Sequence, residues 1–247
     1  LTTLTGATGG QGWTIFTTYL DVVEGARLEF PALTSIQNQV AIRAHTTTPG
    51  LTSVAFLPSL TTLAGGGAGQ TLSVAGTGLI DAPNLATLNT VSLYAYVGGQ
   101  LVLPGVVAQS GGQTDRVWYA EGAGSRISLP ALTAIQGAIG GQGWGVFTTS
   151  LQAVNGGVIA IPNVSSMTLQ TGLAVVGAGR IEAPALTSLS AANLSATGGG
   201  QLVLPALTTY SGGAYFHCYI QADGAGSLIE LPALTELVGS IGSQGWT

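Results

Sequence analysis

A nine-residue phrase recurs along this chain, and its first copy reads Leu28-Glu29-Phe30-Pro31-Ala32-Leu33-Thr34-Ser35-Ile36. The general form is apolar-x-apolar-Pro-small-Leu-Thr-x-apolar, and the last copy occupies residues 229–237. Nine of the ten prolines fill the same position of this phrase: Pro31, Pro58, Pro83, Pro104, Pro130, Pro162, Pro184, Pro205 and Pro232. Self-similarity at a period of about 20 to 50 residues is typical of solenoid proteins.

The spacing of the nine prolines defines the repeating unit. Successive prolines are separated by 27, 25, 21, 26, 32, 22, 21 and 27 residues, so the minimal unit has 21 or 22 residues with variable insertions. Apolar residues at alternate positions before Pro predict a strand with one buried face. The Leu-Thr segment after Pro predicts a second strand, and a third apolar segment ends in Gly, as in residues 173–177. Three short strands in so few residues predict one coil of a parallel β-helix.

The alternative of a leucine-rich repeat has units of similar length, but its consensus Asn or Cys is missing and no segment shows helical periodicity. We therefore predict an all-β protein, a parallel β-helix of about ten coils with its excursions mostly at one corner, between the second and third strands. Two columns of equivalent residues are predicted to be buried. They are Leu33, Leu85, Leu132, Leu186 and Leu207 after Pro, and Ile80, Ile127, Ile181 and Ile229 before it.

The repeat predicts one solenoid domain over residues 1–247, because each coil contacts mainly its neighbours. Residues 1–14 and 234–247 match in phase, and neither has the polar terminal coil that normally caps a solenoid. We therefore expect these 247 residues to be an internal segment of a longer array. Continuation of the same chain, or copies of the chain stacked end to end, is then the expected partner.

Composition excludes several classes of partner. Charged residues form 6% of the chain, there is no Lys, and the net charge is −5. Nucleic acids and anionic lipids both need a basic surface, so neither is expected. The sequence has no apolar run of the roughly 18 residues that a membrane span needs. The lack of Lys, a single Cys218 and the abundance of Thr, Ser, Gly and Asn favour an extracellular or cell-surface location.

Few residues suit catalysis or metal binding. His45 and His217 occupy non-equivalent positions, and Cys218 has no second Cys or His at ligand spacing, so no metal or cofactor is expected. Charged residues recur two and four positions before Pro and predict an outward stripe of cross-coil ion pairs rather than a catalytic cleft. They are Arg27, Glu29, Asp81, Arg126, Arg180, Glu182 and Glu230.

The strongest candidate contact surface is a Gln-Gly-Trp corner that occurs three times. Its residues are Gln11, Trp13, Gln142, Trp144, Gln244 and Trp246. Exposed Trp side chains could stack on sugars or on a neighbouring solenoid, whereas buried ones would form a small core under each loop. Further aromatics near the third strand include Tyr94, Tyr96, Trp118, Tyr119 and Tyr219. The Asn163 and Asn193 triplets match the glycosylation pattern, without deciding whether they are modified.

With its Pro-Ala-Leu-Thr phrase and its Gly-Ala-Gly and Gly-Gly-Gln corners, the chain resembles the repetitive β-solenoid regions of very large bacterial exoproteins and autotransporter-like surface proteins. That resemblance implies a passive stalk, a fibre or an adhesive surface. A non-catalytic structural fibre is the first hypothesis. The alternatives are a carbohydrate-binding adhesin that uses the Gln-Gly-Trp corner, and then a glycan lyase or hydrolase. An ice-binding solenoid is disfavoured because the Thr-Thr pairs do not form a single Thr-x-Thr ladder.

Overall fold

The protein is a β-solenoid, as the repeat predicts. A computed structural model describes residues 1–8, 16–66, 69–140, 147–213 and 217–240. Within those residues every regular element is a β-strand, and all the pairings between named strands are parallel. The chain makes about eight turns, slightly fewer than the ten coils predicted from the sequence.

The strands line three faces of the rod, named here in the order in which each coil visits them. Face A holds the strands that precede Pro: Arg27–Glu29, Val54–Phe56, Leu79–Asp81, Gln100–Val102, Arg126–Ser128, Val158–Ala160, Arg180–Glu182, Gln201–Val203 and Leu228–Glu230. Face B holds the strands that follow Pro: Thr3–Thr5, Ser35–Gln37, Thr62–Ala64, Thr87–Asn89, Ala108–Ser110, Ala134–Gln136, Ser166–Thr168, Ser188–Ser190, Thr209–Ser211 and Glu236–Val238. Face C holds the longest strands: Thr18–Val23, Val40–Thr46, Gln70–Gly76, Val91–Tyr96, Arg116–Glu121, Thr149–Val154, Thr171–Val176, Ala192–Thr197 and Ile220–Asp223.

The three faces differ in continuity. Face B is one sheet of ten strands and face C is one sheet of nine, each with its strands in sequence order. Face A is divided into sections of three, four and two strands. Its two interruptions fall at the two coils of 21 residues, which follow Pro83 and Pro184. Face A is therefore the least regular surface of the rod.

The repeated Pro forms a tight turn between faces A and B. In the first copy the Leu33 N–H donates to the Phe30 carbonyl over 3.2 Å, and the equivalent bond closes all nine turns. Pro fits the second position of such a turn because its φ is fixed and no N–H is needed there. The prediction that Leu33 belongs to the second strand was wrong in this detail. Leu33 completes the turn, and the strand begins two residues later at Ser35.

The Thr of the phrase caps backbone carbonyls at the same corner. The Thr61 hydroxyl donates to the Thr34 carbonyl over 3.0 Å, and the Thr208 hydroxyl donates to the Thr187 carbonyl over 3.1 Å. Each bond joins one coil to the coil before it, so the hydroxyls supplement the backbone ladder. The Thr-Thr pairs at Thr61 and Thr208 begin face B strands, whereas the pair at Thr148 begins a face C strand. The pairs thus occupy more than one phase, as the sequence predicts.

The core is a set of side-chain columns along the rod axis. Leu33, Leu85, Leu132, Leu186 and Leu207 are all fully buried, which confirms the predicted column after Pro. In the column before Pro, Ile80, Ile127 and Ile181 are buried, while Ile229 in the last coil is half-buried. The parallel pairing of Ile127 with Ile159, and of Ile159 with Ile181, shows that equivalent residues stack directly. Every buried position therefore contacts its own counterpart in the next coil.

Excursions from the rod are concentrated between faces B and C, as predicted. Described examples leave face B after Ala64, after Ser110 and after Gln136, and each returns to face C. One excursion departs from the rule. Residues 47–53 lie between faces C and A and include Pro49, the one Pro outside the repeated phrase.

Tight turns with positive φ angles carry the chain from face C to face A. In one of them Val97 and Gly98 have φ angles of 52° and 80°, and the Gly99 N–H donates to the Tyr96 carbonyl over 2.8 Å. Asn155 and Gly156 adopt the same pair of positive φ angles in another coil. Two positive φ angles in succession characterise the type I′ turn, for which Asn-Gly is a preferred sequence. Val is poorly suited to this conformation because its branched Cβ is crowded there.

Replacing Val97 with Asn should therefore stabilise the protein. The side chain is 67% exposed, so little packing is lost, and relief of the strained backbone should contribute about 1 kcal/mol. The measurement is the free energy of unfolding from denaturant titration. The control is Val102→Asn, at an exposed position within a face A strand, which should be neutral or destabilising. Equal effects of the two substitutions would contradict the strain argument.

Candidate functional site

The Gln-Gly-Trp corner predicted as a contact surface lies outside the described residues. This applies to Gln11, Trp13, Gln142, Trp144, Gln244 and Trp246. Its role in contacts therefore stays a prediction. The surfaces that can be built from described residues are the outward sides of faces A and C.

Three tyrosines form an aromatic cluster on the outward side of face C. Tyr94 and Tyr96 lie on one strand with ring centroids 5.7 Å apart, and Tyr119 lies on the next strand, directly opposite Tyr94. Its ring centroid is 6.4 Å from that of Tyr94 and 5.7 Å from that of Tyr96. These distances are typical of interacting aromatic rings, so the three rings support one another on the surface of the sheet.

Trp118 does not belong to this cluster, although the sequence grouped it with the other aromatics near the third strand. Its side chain is fully buried, and its Nε1–H donates to the Val91 carbonyl over 3.3 Å. Successive residues of a strand point to opposite faces, so the exposure of Tyr119 places Trp118 in the core. Among the described residues, the tyrosines and not Trp118 provide the aromatic surface of face C.

The environment of the tyrosine cluster shifts two pKa values upward. Burial, followed by the neighbouring Tyr94, Tyr119 and Glu121, raises the pKa of Tyr96 to about 12. Burial and the hydrogen bond to Glu121 likewise raise the pKa of Tyr119. Both groups therefore stay neutral and keep their hydrogen-bonding hydroxyls at physiological pH.

Next to the tyrosines, face C contains a shallow hollow of about 270 Å³. Its floor crosses Gly172 and Ala174, and its sides carry Ser150, Gln152, Asn193, Ser195 and Tyr219. Strand register places Gly172 between Ser150 and Asn193, and Ala174 between Gln152 and Ser195. The hollow thus arises because one coil carries small side chains where the coils on either side carry polar ones.

A charged network occupies the start of the same face. The Arg43 guanidinium pairs with the Asp21 carboxylate, with Arg43 Nε 2.6 Å from Asp21 Oδ1, and lies 4.5 Å from the centroid of the Tyr19 ring. The hydrogen bond from Arg43 is the largest factor holding the pKa of Asp21 below its usual value. His45 Nε2 lies 2.9 Å from Ser73 Oγ, and burial, with the charge of Arg43, lowers the pKa of this imidazole. The network links the first three face C strands.

The charged residues before Pro form the outward stripe that the sequence predicts on face A. Arg126 Nη2 lies 2.8 Å from Glu182 Oε2, which joins two strands separated by the strand Val158–Ala160. Arg27 pairs with Glu29 on its own strand, and its guanidinium lies 4.8 Å from the centroid of the Phe56 ring. The side chains of Arg126 and Glu182 are 36% and 37% exposed, so this pair is screened by solvent and contributes little stability.

A second hollow, of about 440 Å³, lies on face A where the sheet is interrupted between Arg180–Glu182 and Gln201–Val203. Arg180, Glu182, Gln201 and Val203 line it, together with glycines of the adjacent corner. Of its two charged side chains, Glu182 is paired with Arg126. The hollow therefore presents one carboxylate that is held by a neighbouring guanidinium.

The remaining sequence candidates are dispersed. His45 lies on face C, whereas His217 is exposed at the end of an excursion, next to the half-buried Cys218. Within the described ranges, no three His, Cys, Asp or Glu side chains are grouped closely enough to hold a metal ion. Asn163 is exposed at a Pro turn, where its Nδ2 donates to the Pro130 carbonyl over 2.8 Å, and Asn193 borders the face C hollow. The described part of the chain contains no helix long and apolar enough to cross a membrane.

Comparison with known proteins provides no functional precedent. No protein-family model, curated protein or solved structure matches this chain. The function must therefore be argued from the geometry of the rod and its surfaces.

The raised pKa of Tyr96 predicts a loss of stability at alkaline pH. In the unfolded chain Tyr ionises near about pH 10. The folded structure favours the neutral phenol, so the stability that Tyr96 contributes is present below about pH 10 and is lost as the pH rises toward about 12. Thermal unfolding followed by circular dichroism across this pH range measures the effect. The variant Tyr96→Phe cannot ionise and should lose less stability over the same interval; an unchanged alkaline profile would contradict this assignment.

Proposed function

We propose that this chain is a non-catalytic structural module of an extracellular or cell-surface fibre, in which stacked coils continue the rod at its ends. The resemblance to bacterial surface solenoids and the scarcity of charge support this role. The observation that carries the proposal is the open apolar core at the last coil.

The open core is visible in one column of face B. Leu189 is 1% exposed and Tyr210 is 4% exposed, whereas Leu237, which pairs with Tyr210 in the last strand, is 63% exposed. Ile220 occupies the corresponding position on face C and is 42% exposed, although its partner Leu194 is fully buried. A further coil would cover both side chains and pair with the edge strand Glu236–Val238.

The energetic reason to add a coil follows from both features of this end. An uncovered apolar column gains free energy when it is removed from water. The last strand also presents unpaired N–H and C=O groups, which are a template for another strand. The next coil can come from the same polypeptide or from another copy of it. Either source would make the rod longer without changing its cross-section.

The enzyme alternative, a glycan lyase or hydrolase, has less support from the described surfaces. Glycoside hydrolysis generally uses two carboxyl groups that flank the scissile bond. The face A hollow contains a single carboxylate, Glu182, which is paired with Arg126. The geometry of the described residues therefore favours the structural role over catalysis.

Association through the open end can be tested on the 247-residue chain. We expect the chain to associate with increasing concentration, as measured by sedimentation velocity, and to form end-to-end rods visible by negative-stain electron microscopy. The variant Leu237→Asp places a charge on the uncovered column and should weaken association by about tenfold or more.

The matched control is Val238→Asp, which adds the same charge to the same strand at a neighbouring position that faces outward. It should associate more strongly than Leu237→Asp. A chain that remains monomeric at all concentrations, or equal weakening by both substitutions, would contradict the proposed stacking at this end.

A further inference from the structure

We propose that the face C hollow, with the tyrosines on either side of it, is a binding groove for an uncharged oligosaccharide. This groove is separate from the Gln-Gly-Trp corner and does not depend on the open end of the rod. The inference uses three properties of the described residues: the shape of the hollow, the chemistry of its sides and the positions of the aromatic rings.

The shape follows from the register of three strands. Gly172 has no side chain, and Ala174 has only a methyl group, whereas the strands before and after present Ser150, Gln152 and Asn193. A Cβ atom at Gly172 would meet Ser150 Oγ at 3.5 Å, an ordinary contact distance, so backbone crowding does not require Gly at this position. The coil therefore forms a depression between polar rows in an otherwise regular sheet.

The sides of the hollow offer hydrogen bonds without charge. Ser150, Gln152, Asn193 and Ser195 supply hydroxyl and amide groups, and no lining residue is ionisable except Tyr219. The Tyr219 N–H donates to Asn193 Oδ1 over 3.1 Å, which orients this amide and directs its NH₂ group away from that bond. Amides and hydroxyls act as both donors and acceptors, and so do the hydroxyl groups of a sugar.

Aromatic rings lie on both sides of the depression along the rod axis. Tyr219 borders the hollow and is 49% exposed. Tyr119 lies on the strand before Gln152, in the same outward column, and contacts Tyr94 and Tyr96. Tyr119 and Tyr219 are four strands apart in the sheet, which corresponds to about 19 Å at about 4.8 Å per strand. A short chain of sugar rings laid along the axis could contact both tyrosines and the polar rows between them.

Charge selects against other ligands. Nucleic acids and acidic polysaccharides would need Lys or Arg beside the groove. None lines this hollow, and the nearest acidic group in the tyrosine cluster, Glu121, would repel an anion. An extended peptide would pair with an exposed sheet edge, whereas this hollow lies on the face of a sheet whose strands are already paired. An uncharged oligosaccharide fits the observations best.

The test uses isothermal titration calorimetry with a panel of neutral hexasaccharides: cellohexaose, xylohexaose, mannohexaose, laminarihexaose and maltohexaose. At least one should bind, and oligogalacturonate should bind more weakly. The variant Gly172→Val fills the depression with a side chain suited to a strand and should reduce the association constant by about tenfold or more. The variant Tyr219→Ala should reduce it to a smaller extent because it removes one of the aromatic contacts.

The control is Ala134→Val, an exposed outward position on face B with the same added branched side chain and no contact with the groove. Its affinity should equal that of the wild-type chain, and circular dichroism should show that all three variants are folded. Failure of every neutral hexasaccharide to bind would overturn the proposal. Preferential binding of oligogalacturonate, or equal affinity of Gly172→Val and the wild-type chain, would also overturn it.

Discussion

The structure depends on one constraint, which is that each coil must place its inward side chains directly on those of the coil before it. Parallel pairing in register puts Ile127 on Leu101, Ile159 on Ile127 and Ile181 on Ile159. A shift of one residue would turn these apolar side chains toward solvent, because alternate residues of a strand point to opposite sides. The same requirement explains why the turn that sets the register, with Pro at its second position, recurs nine times with the same hydrogen bond.

The constraint leaves two regions free to vary, the outward positions and the corners. The outward positions of face C differ from coil to coil and provide a charged network, a tyrosine cluster and then an uncharged groove along one sheet. The corner between faces B and C accepts most of the inserted residues, because a longer loop there leaves the stacked strands undisturbed. Both proposed properties follow from this arrangement. The rod can be extended because its coils are interchangeable, and it can bind a ligand because its surface residues are not.

The sequence predicted the parts of the structure that repeat, and was less successful where coils differ. The column of Leu132 and its equivalents could be aligned on Pro, and these residues are buried as predicted. Trp118 was misjudged because the alternation within its strand, not its residue type, determines its direction. The hollow at Gly172 was missed because it depends on which residues flank that Gly in the neighbouring coils. Insertions of different length separate those residues in the sequence, so their pairing became visible only in the sheet register.

Distances between outward positions of face B test the stacked solenoid most directly. Spin labels at Ser35 paired with Ser166, Ser188 or Thr209, in chains that carry Cys218→Ser, can be measured by double electron–electron resonance. These pairs span five, six and seven strands of the sheet. The structure predicts separations of about 24, 29 and 34 Å, with equal increments of about 4.8 Å per coil. Unequal increments, or distances that follow the number of intervening residues rather than the number of coils, would contradict the account.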